Sequence, residues 1–289
     1  MKLGKLGVWF PMDPLTTEQL AELAQRVEAL GYAALWYPES RGHESFSLGG
    51  YLLARTNTLV LATGIANIYA RDAAAAKQGQ HSLNKLYGGR FLLGLGVSHI
   101  PTVEGLRGHS YAKPVATMRA YLEGMDQSAG MAQQLDEAPP TVIAALGPKM
   151  TALGGKNAAG IHPYNVTPEH TAWAREIVGP QPWVCVEQKI MMTTDATQAM
   201  KVAREGMARY MALPNYRNNW LRQGFSEAEL DNGGSDRFLD AMVAWGDAAT
   251  IKTRIQAHFD AGASHVCIQP LNPDGSPLPD MKALEALAP

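Results

Sequence analysis

The chain of 289 residues is poor in the features that announce a function most directly. It has two cysteines, Cys185 and Cys267, set in apolar runs far apart. That excludes a disulfide-stapled scaffold; both read as reduced core residues of a cytoplasmic protein, although two thiols can in principle pair. Charge of either sign is not in excess: the net charge is −2, so no basic field calls for nucleic acid or an anionic membrane. No apolar run approaches the roughly 20 residues of a membrane span. The opening MKLGKLGVWF is interrupted by Gly4, Lys5 and Gly7, and lacks the apolar stretch of a secretion signal. No HExxH or CxxC pattern occurs and the 8 histidines show no ligand spacing, so no metal site is expected. No GxSxG elbow supports a serine nucleophile.

What is present is a regular alternation. Short branched or aromatic runs are separated by longer amphipathic segments. The candidate strands are Gly7–Phe10, Ala34–Tyr37, Leu59–Ile65, Phe91–Val97, Thr141–Leu146, Gly160–Val166, Trp183–Met192 and His265–Pro270. Between the first two lies TTEQLAELAQRVEALG, where Leu20, Leu23, Val27 and Leu30 share one helical face and Gly31 supplies the stop. Such alternation implies a parallel sheet with right-handed crossovers. Closed on itself it is a (β/α)8 TIM barrel of the α/β class; an open doubly wound sheet fits the same periodicity. The length allows a single domain, 1–289. Two long connections stand out, 98–112 after the fourth strand and 195–247 after the seventh, and connections of that kind are usually functional or oligomeric insertions.

In a barrel the chemistry collects at the carboxyl ends of the strands. That rim is aromatic, rich in glycine and poor in paired acids, which suits a large planar ring better than hydrolysis. Trp9, Trp36 and Trp183 stand near strand ends as candidate pocket walls, although tryptophans so placed are commonly core. Gly94-Leu95-Gly96 is a weak dinucleotide signal, because His99 occupies the third glycine position. After the fifth strand, Gly147 and Pro148 open a helix through Met150, and its free amides beside Lys149 make a reasonable phosphate site. A tight strand-to-helix turn with a solvated lysine accounts for the same residues equally well.

Six stretches in order, GYAALWYPE, TGIANIYARD, GRFLLGLGVSH, ALGPKM, AAGIHPYNVTPEHT and AWGDAATIKTRIQAHFDAGASHVCIQPL, resemble the bacterial luciferase-like superfamily, and within it the branch of coenzyme F420-dependent oxidoreductases. The resemblance covers nearly the whole chain. It implies a (β/α)8 barrel, usually a homodimer, that binds a small-molecule substrate. It further implies that the third strand ends in a bulge with a non-prolyl cis peptide backing one face of the cofactor ring, here at Gly64, Ile65 and Ala66, with Asn67 just beyond. By the same likeness Val97 and Ser98 line the ring, Gly147, Pro148, Lys149 and Met150 hold its phosphate, and Arg71 and Lys149 meet the acidic tail of a deazaflavin. The cofactor expected is coenzyme F420, with FMN as the alternative. The histidine and glutamate that serve sugar-phosphate dehydrogenases of this superfamily are missing after strands two and four. Candidate proton donors are therefore Glu39, His99 and Tyr69, with Glu39 and His99 close enough in register to substitute for the missing pair.

The expected reaction is hydride transfer between the deazaflavin and an electron-poor C=C, C=N or C=O bond. Three rivals remain at this level: an FMN-dependent reductase or monooxygenase of the same fold, a Schiff-base lyase using Lys189 with Glu187 on the same strand face, and a flavin-binding protein without catalysis.

Overall fold

The structure is a computed structural model that describes residues 1–289. Its strands, in chain order, are β1 (Leu6–Trp9), β2 (Ala34–Tyr37), β3 (Val60–Thr63), β4 (Ala66–Asn67), β5 (Phe91–Gly96), β6 (Thr141–Ile143), β7 (Gly160–Ile161), β8 (Trp183–Met192), β9 (Val243–Gly246) and β10 (His265–Pro270). Parallel pairing runs from β1 through β2, β3, β5, β6, β7 and β8 to β10, which returns to β1, so the sheet closes into an eight-stranded barrel with helices between strands. The open doubly wound alternative is thereby excluded.

Strand alternation decides which side chains fill the barrel and which meet the helices. Ala34 and Trp36, Val60 and Ala62, Leu92, Val142, Cys185 and Cys267 point inward and pack together. Leu35 and Tyr37, Leu61, Leu93, Ile143, Val184, Val186, Val266 and Ile268 point outward beneath the helices. Both cysteines are free and buried in that interior, where burial pushes the Cys185 and Cys267 thiols up. No helix is long and apolar enough to cross a membrane.

Several boundaries differ from the sequence reading. The run Leu59–Ile65 is broken: β3 stops at Thr63, the Gly64–Ile65 peptide bond is cis, and pairing resumes at Ala66 against Leu95 of β5. Glycines make this possible. A Cβ on Gly94 would overlap the Thr63 carbonyl oxygen, and one on Gly96 would overlap the Ile65 side chain. The Gly94-Leu95-Gly96 run thus serves close strand packing around the bulge, and not a dinucleotide turn. Thr63 fastens the step, its hydroxyl donating to the Gly94 carbonyl and accepting from the Gly94 amide, both at 2.8 Å.

The connection after β5 holds a π-helical turn, Pro101–Leu106. The one after β8 holds helices Ala196–Met211, Pro214–Arg222, Glu227–Leu230 and Asp236–Met242 and ends in β9, a strand the periodicity does not reveal. It pairs with Lys189–Met192 at the far end of β8. Strand β7 is also shorter than its apolar run: regular pairing ends at Ile161, although the His162 amide still donates to the Ile143 carbonyl at 2.9 Å, and the chain turns at Asn165 with φ 57°.

Candidate active site at the barrel mouth

The carboxyl ends of the strands divide into a filled half and a partly open half. On the β7 to β10 side the interior turns polar near the mouth, with Glu187, Lys189 and Gln269 all buried. The Lys189 ammonium donates to Glu187 Oε1 at 3.2 Å and to Asn165 Oδ1, and lies 4.0 Å from the Tyr164 ring centroid. Burial lowers the Lys189 pKa to about 8 and raises that of Glu187. Above them the Tyr164 hydroxyl donates to Gln269 Oε1 at 2.9 Å and shares a 2.8 Å bond with Tyr210, which Arg209 also contacts. Tyr216 and Trp220, from the helix in the long connection, complete the plug, Trp220 Nε1 donating to the Asn165 carbonyl at 3.0 Å. Lys189 is therefore held on several sides, a setting unlike that of an open Schiff-base lysine.

On the β4 to β6 side, Ile65, Val97, Ser98, Ala144, Leu146 and Gly147 remain partly exposed on neighbouring strand ends. Ser98 turns there with φ 56°, a left-handed conformation that costs a non-glycine residue about 1 kcal/mol or more and is found chiefly at functional sites. Beside it, Gly147 opens the helix Pro148–Asn157 with no side-chain cap, leaving the first-turn amides of Lys149 and Met150 directed outward. Lys149 is exposed. Arg222 reaches the same turn from the long connection: its Nη2 donates to the Leu146 carbonyl at 3.4 Å and to Asn219 Oδ1 at 3.0 Å. Sequence reading missed Arg222 and Asn219, since nothing local ties residues 219–222 to 146–147.

The bulge between β3 and β4 is braced from below. Trp9 Nε1 donates to the Gly64 carbonyl at 3.1 Å, and a Cβ on Gly64 would fall 2.5 Å from Trp9 Nε1 and 2.9 Å from His162 Nε2. Glycine is required here first by the barrel interior. His162 stacks on Trp36 (4.5 Å between centroids), donates from Nδ1 to the Cys185 carbonyl at 2.8 Å, and has its pKa lowered by burial to about 4. Trp36 is fully buried and donates to His265 at 3.0 Å, so it is core. Trp183 begins β8 at the opposite end of the barrel and walls no pocket at the mouth.

The three proton-donor candidates sit in different surroundings. Both Glu39 oxygens are engaged: they accept from the Asn67 amide at 2.7 Å, the Ser45 amide at 3.3 Å and the Arg71 guanidinium. Arg71 also binds Glu44 at 2.7 Å and lies over the Phe46 ring, so its charge is matched inside the protein. His99 packs on Tyr216 and shares no hydrogen bond with Glu39; burial lowers its pKa, and its Nδ1 has no partner. The two residues are not brought together as a pair. The Tyr69 hydroxyl is shielded from solvent without a partner, as is Asn165 Nδ2.

Comparison with known proteins agrees with this architecture. Residues 5–265 match the profile of the luciferase-like monooxygenase family. A Mycobacterium tuberculosis protein bearing the name of a coenzyme F420-dependent oxidoreductase is 33% identical over 124 residues, which span 43% of this chain and 35% of that relative. The 5,10-methylenetetrahydromethanopterin reductase of Methanolobus tindarius is 26% identical across 93% of this chain and 95% of its own. Among solved structures, an F420-dependent secondary alcohol dehydrogenase in complex with an F420-acetone adduct superposes with a TM-score of 0.78 at 15% identity, covering 99% of this chain and 98% of that one. The FMN-bound oxygenating constituent of 3,6-diketocamphane monooxygenase from Pseudomonas putida gives 0.71 at 15% identity, covering 99% and 97%. At these identities the structural likeness shows the fold.

Proposed function

The chain belongs to the luciferase-like monooxygenase family, and from that premise we propose that it is a coenzyme F420-dependent oxidoreductase acting on a small organic molecule with an activated C=C, C=N or C=O bond. One arrangement carries the reading: a partly exposed apolar wall, Ile65, Val97, Ala144 and Leu146, runs directly into an uncapped helix N-terminus flanked by Lys149 and Arg222. A flat ring with a phosphate-bearing chain matches that wall and that turn. The choice of deazaflavin over FMN is supported by the names of the relatives that match at higher sequence identity, 33% and 26% against 15% for the FMN-bound structure.

When bound, the deazaflavin supplies a ring carbon that gives or accepts hydride, leaving position, exclusion of water and one proton to the protein. The residues divide those tasks. The bulge at Gly64–Ala66, fixed by Trp9, Thr63 and Glu39, forms the floor. The amides of Lys149 and Met150, with the two cations, hold the phosphate. Tyr164, Tyr210 and Tyr216 close the far side against water. Tyr69 is the proposed proton donor, because its hydroxyl is unpartnered whereas Glu39 is engaged on both oxygens.

Fluorescence titration with coenzyme F420 and with FMN tests the cofactor. The expected result is micromolar or tighter binding of the deazaflavin, weakened about tenfold in Lys149→Gln through loss of one charge-assisted contact worth about 1.4 kcal/mol. Tight FMN binding with no uptake of the deazaflavin overturns the choice. Tyr69→Phe is expected to lower turnover about 100-fold while leaving the coenzyme dissociation constant unchanged; unaltered turnover removes Tyr69 from the reaction.

A further inference from the structure

A second anion-binding position lies beside the mouth. A groove of about 530 Å³ runs between the segment after β2 and the start of the helix Ala73–Leu86, with Arg107 reaching it from the end of the π-helical turn after β5, and Arg41, His43, Arg71 and Arg107 all line it. Its acids are already committed. Glu39 and Glu44 bind Arg71, and both also accept backbone amides, Asn67 on one and Phe46 and Ser47 on the other. Arg41 and Arg107 take part in no ion pair, and Arg107 Nε is shielded from solvent without an acceptor. A guanidinium with an unsatisfied buried N–H favours a planar or tetrahedral oxyanion that can take two of its donors.

Strand order separates this groove from the phosphate turn. β2 and β6 are three steps apart along the sheet, β2-β3-β5-β6, which at about 4.8 Å per step is roughly 14 Å measured along the curved sheet. A phosphate at the Gly147 turn therefore stands apart from Arg41 at the exit of β2. Glu39 connects the groove to the ring seat, its amide donating to the Ile65 carbonyl at 3.0 Å.

We propose that this groove, through Arg41 and Arg107, binds a carboxylate or phosphate group of the substrate, which makes the substrate an organic acid or phosphate ester. The assignment to substrate rests on the coenzyme reading above; the anion site itself does not. Arginine modification by phenylglyoxal, mapped by mass spectrometry on the full chain without coenzyme, tests the site. Glutarate and inorganic phosphate are the probes, against sodium chloride at equal ionic strength. The expected result is at least threefold slower modification of Arg41 and Arg107 with either probe, and no change at the exposed Arg119. Absence of protection at both arginines overturns the site. The source of the anion is read from an R41Q/R107Q variant titrated with coenzyme F420. An unchanged dissociation constant supports the substrate; a rise of tenfold or more assigns the groove to the coenzyme's acidic tail and overturns the substrate assignment. If the wild-type chain binds no deazaflavin yet shows protection, the coenzyme reading fails and the anion site stands.

Discussion

Replacing Lys189 by methionine is expected to cost about 3–5 kcal/mol of folding stability, the range for breaking a buried ion pair by removing one partner. Methionine nearly fills the volume, so the loss is electrostatic. It leaves the Glu187 carboxylate, 1% exposed, facing Tyr164 and Asn165 without its cation. The double variant Lys189→Met with Glu187→Gln is expected to recover most of the loss, since two neutral groups no longer need each other. Urea unfolding of the wild type, both single variants and the double variant measures the coupling directly. A loss below about 1 kcal/mol for the single variant means that the pair is not formed. The same geometry predicts that borohydride in the presence of simple ketones traps no adduct at Lys189, because Asn165, Glu187 and the Tyr164 ring already surround the ammonium.

Acid is expected to destabilise the protein well before its carboxylates titrate. Burial lowers the pKa values of His162, His170 and His265 to about 4 and that of His258 to about 3. The geometry explains why. His265 donates from Nδ1 to the Gly4 carbonyl and accepts from Trp36 Nε1, so a second ring proton would point at an indole N–H. His258 donates from Nε2 to Gln188 Oε1 and meets the Thr171 hydroxyl at Nδ1, and burial, with the nearby Arg254 charge, is what disfavours its charged form. In the unfolded chain these groups titrate near 6.5. Between pH 6.5 and 4 the unfolded state takes up protons that the folded state refuses, so stability falls as pH falls and is regained by about pH 7. Glu187, with its pKa raised in the fold, works in the opposite sense, one group against these four histidines and His99. The net expectation is a loss of about 4 kcal/mol between pH 7 and 5.5, read as a shift of the urea midpoint at constant ionic strength. A midpoint shift equivalent to less than about 1 kcal/mol of unfolding free energy would show that these histidines are not held neutral.

Periodicity and punctuation in the sequence were sufficient for the parallel β/α alternation, whereas closure of the sheet into a barrel was implied by the family resemblance and decided by the pairing of β10 with β1 and β8. Every barrel strand lies within a branched or aromatic run, because a strand buried on both faces favours apolar residues and admits charge only where it is paired, as Glu187 and Lys189 are in β8, and helix boundaries follow local caps such as Thr16, Asp72 and Asp247. The helix start at Gly147–Pro148 was legible because glycine and proline act on their own backbone, whereas the bulge at Gly64–Ala66 was implied only by the family resemblance, since Gly64 by itself reads as an ordinary strand end. What the residues contact was not legible. Arg71 reads as a solvated cation or a tail contact in sequence, yet folding places Glu39 and Glu44 beside it from a different loop. Lys189 and Glu187 are two apart on any strand, but only barrel closure puts Asn165, Tyr164 and Tyr210 over them. Arg222 joins Leu146 across the mouth, and Arg107 meets the segment after β2, through connections whose paths no local pattern encodes. Secondary structure follows from interactions within a few residues, which the sequence states; charge pairing and burial depend on which distant segments share the mouth, and only the closed barrel decides that.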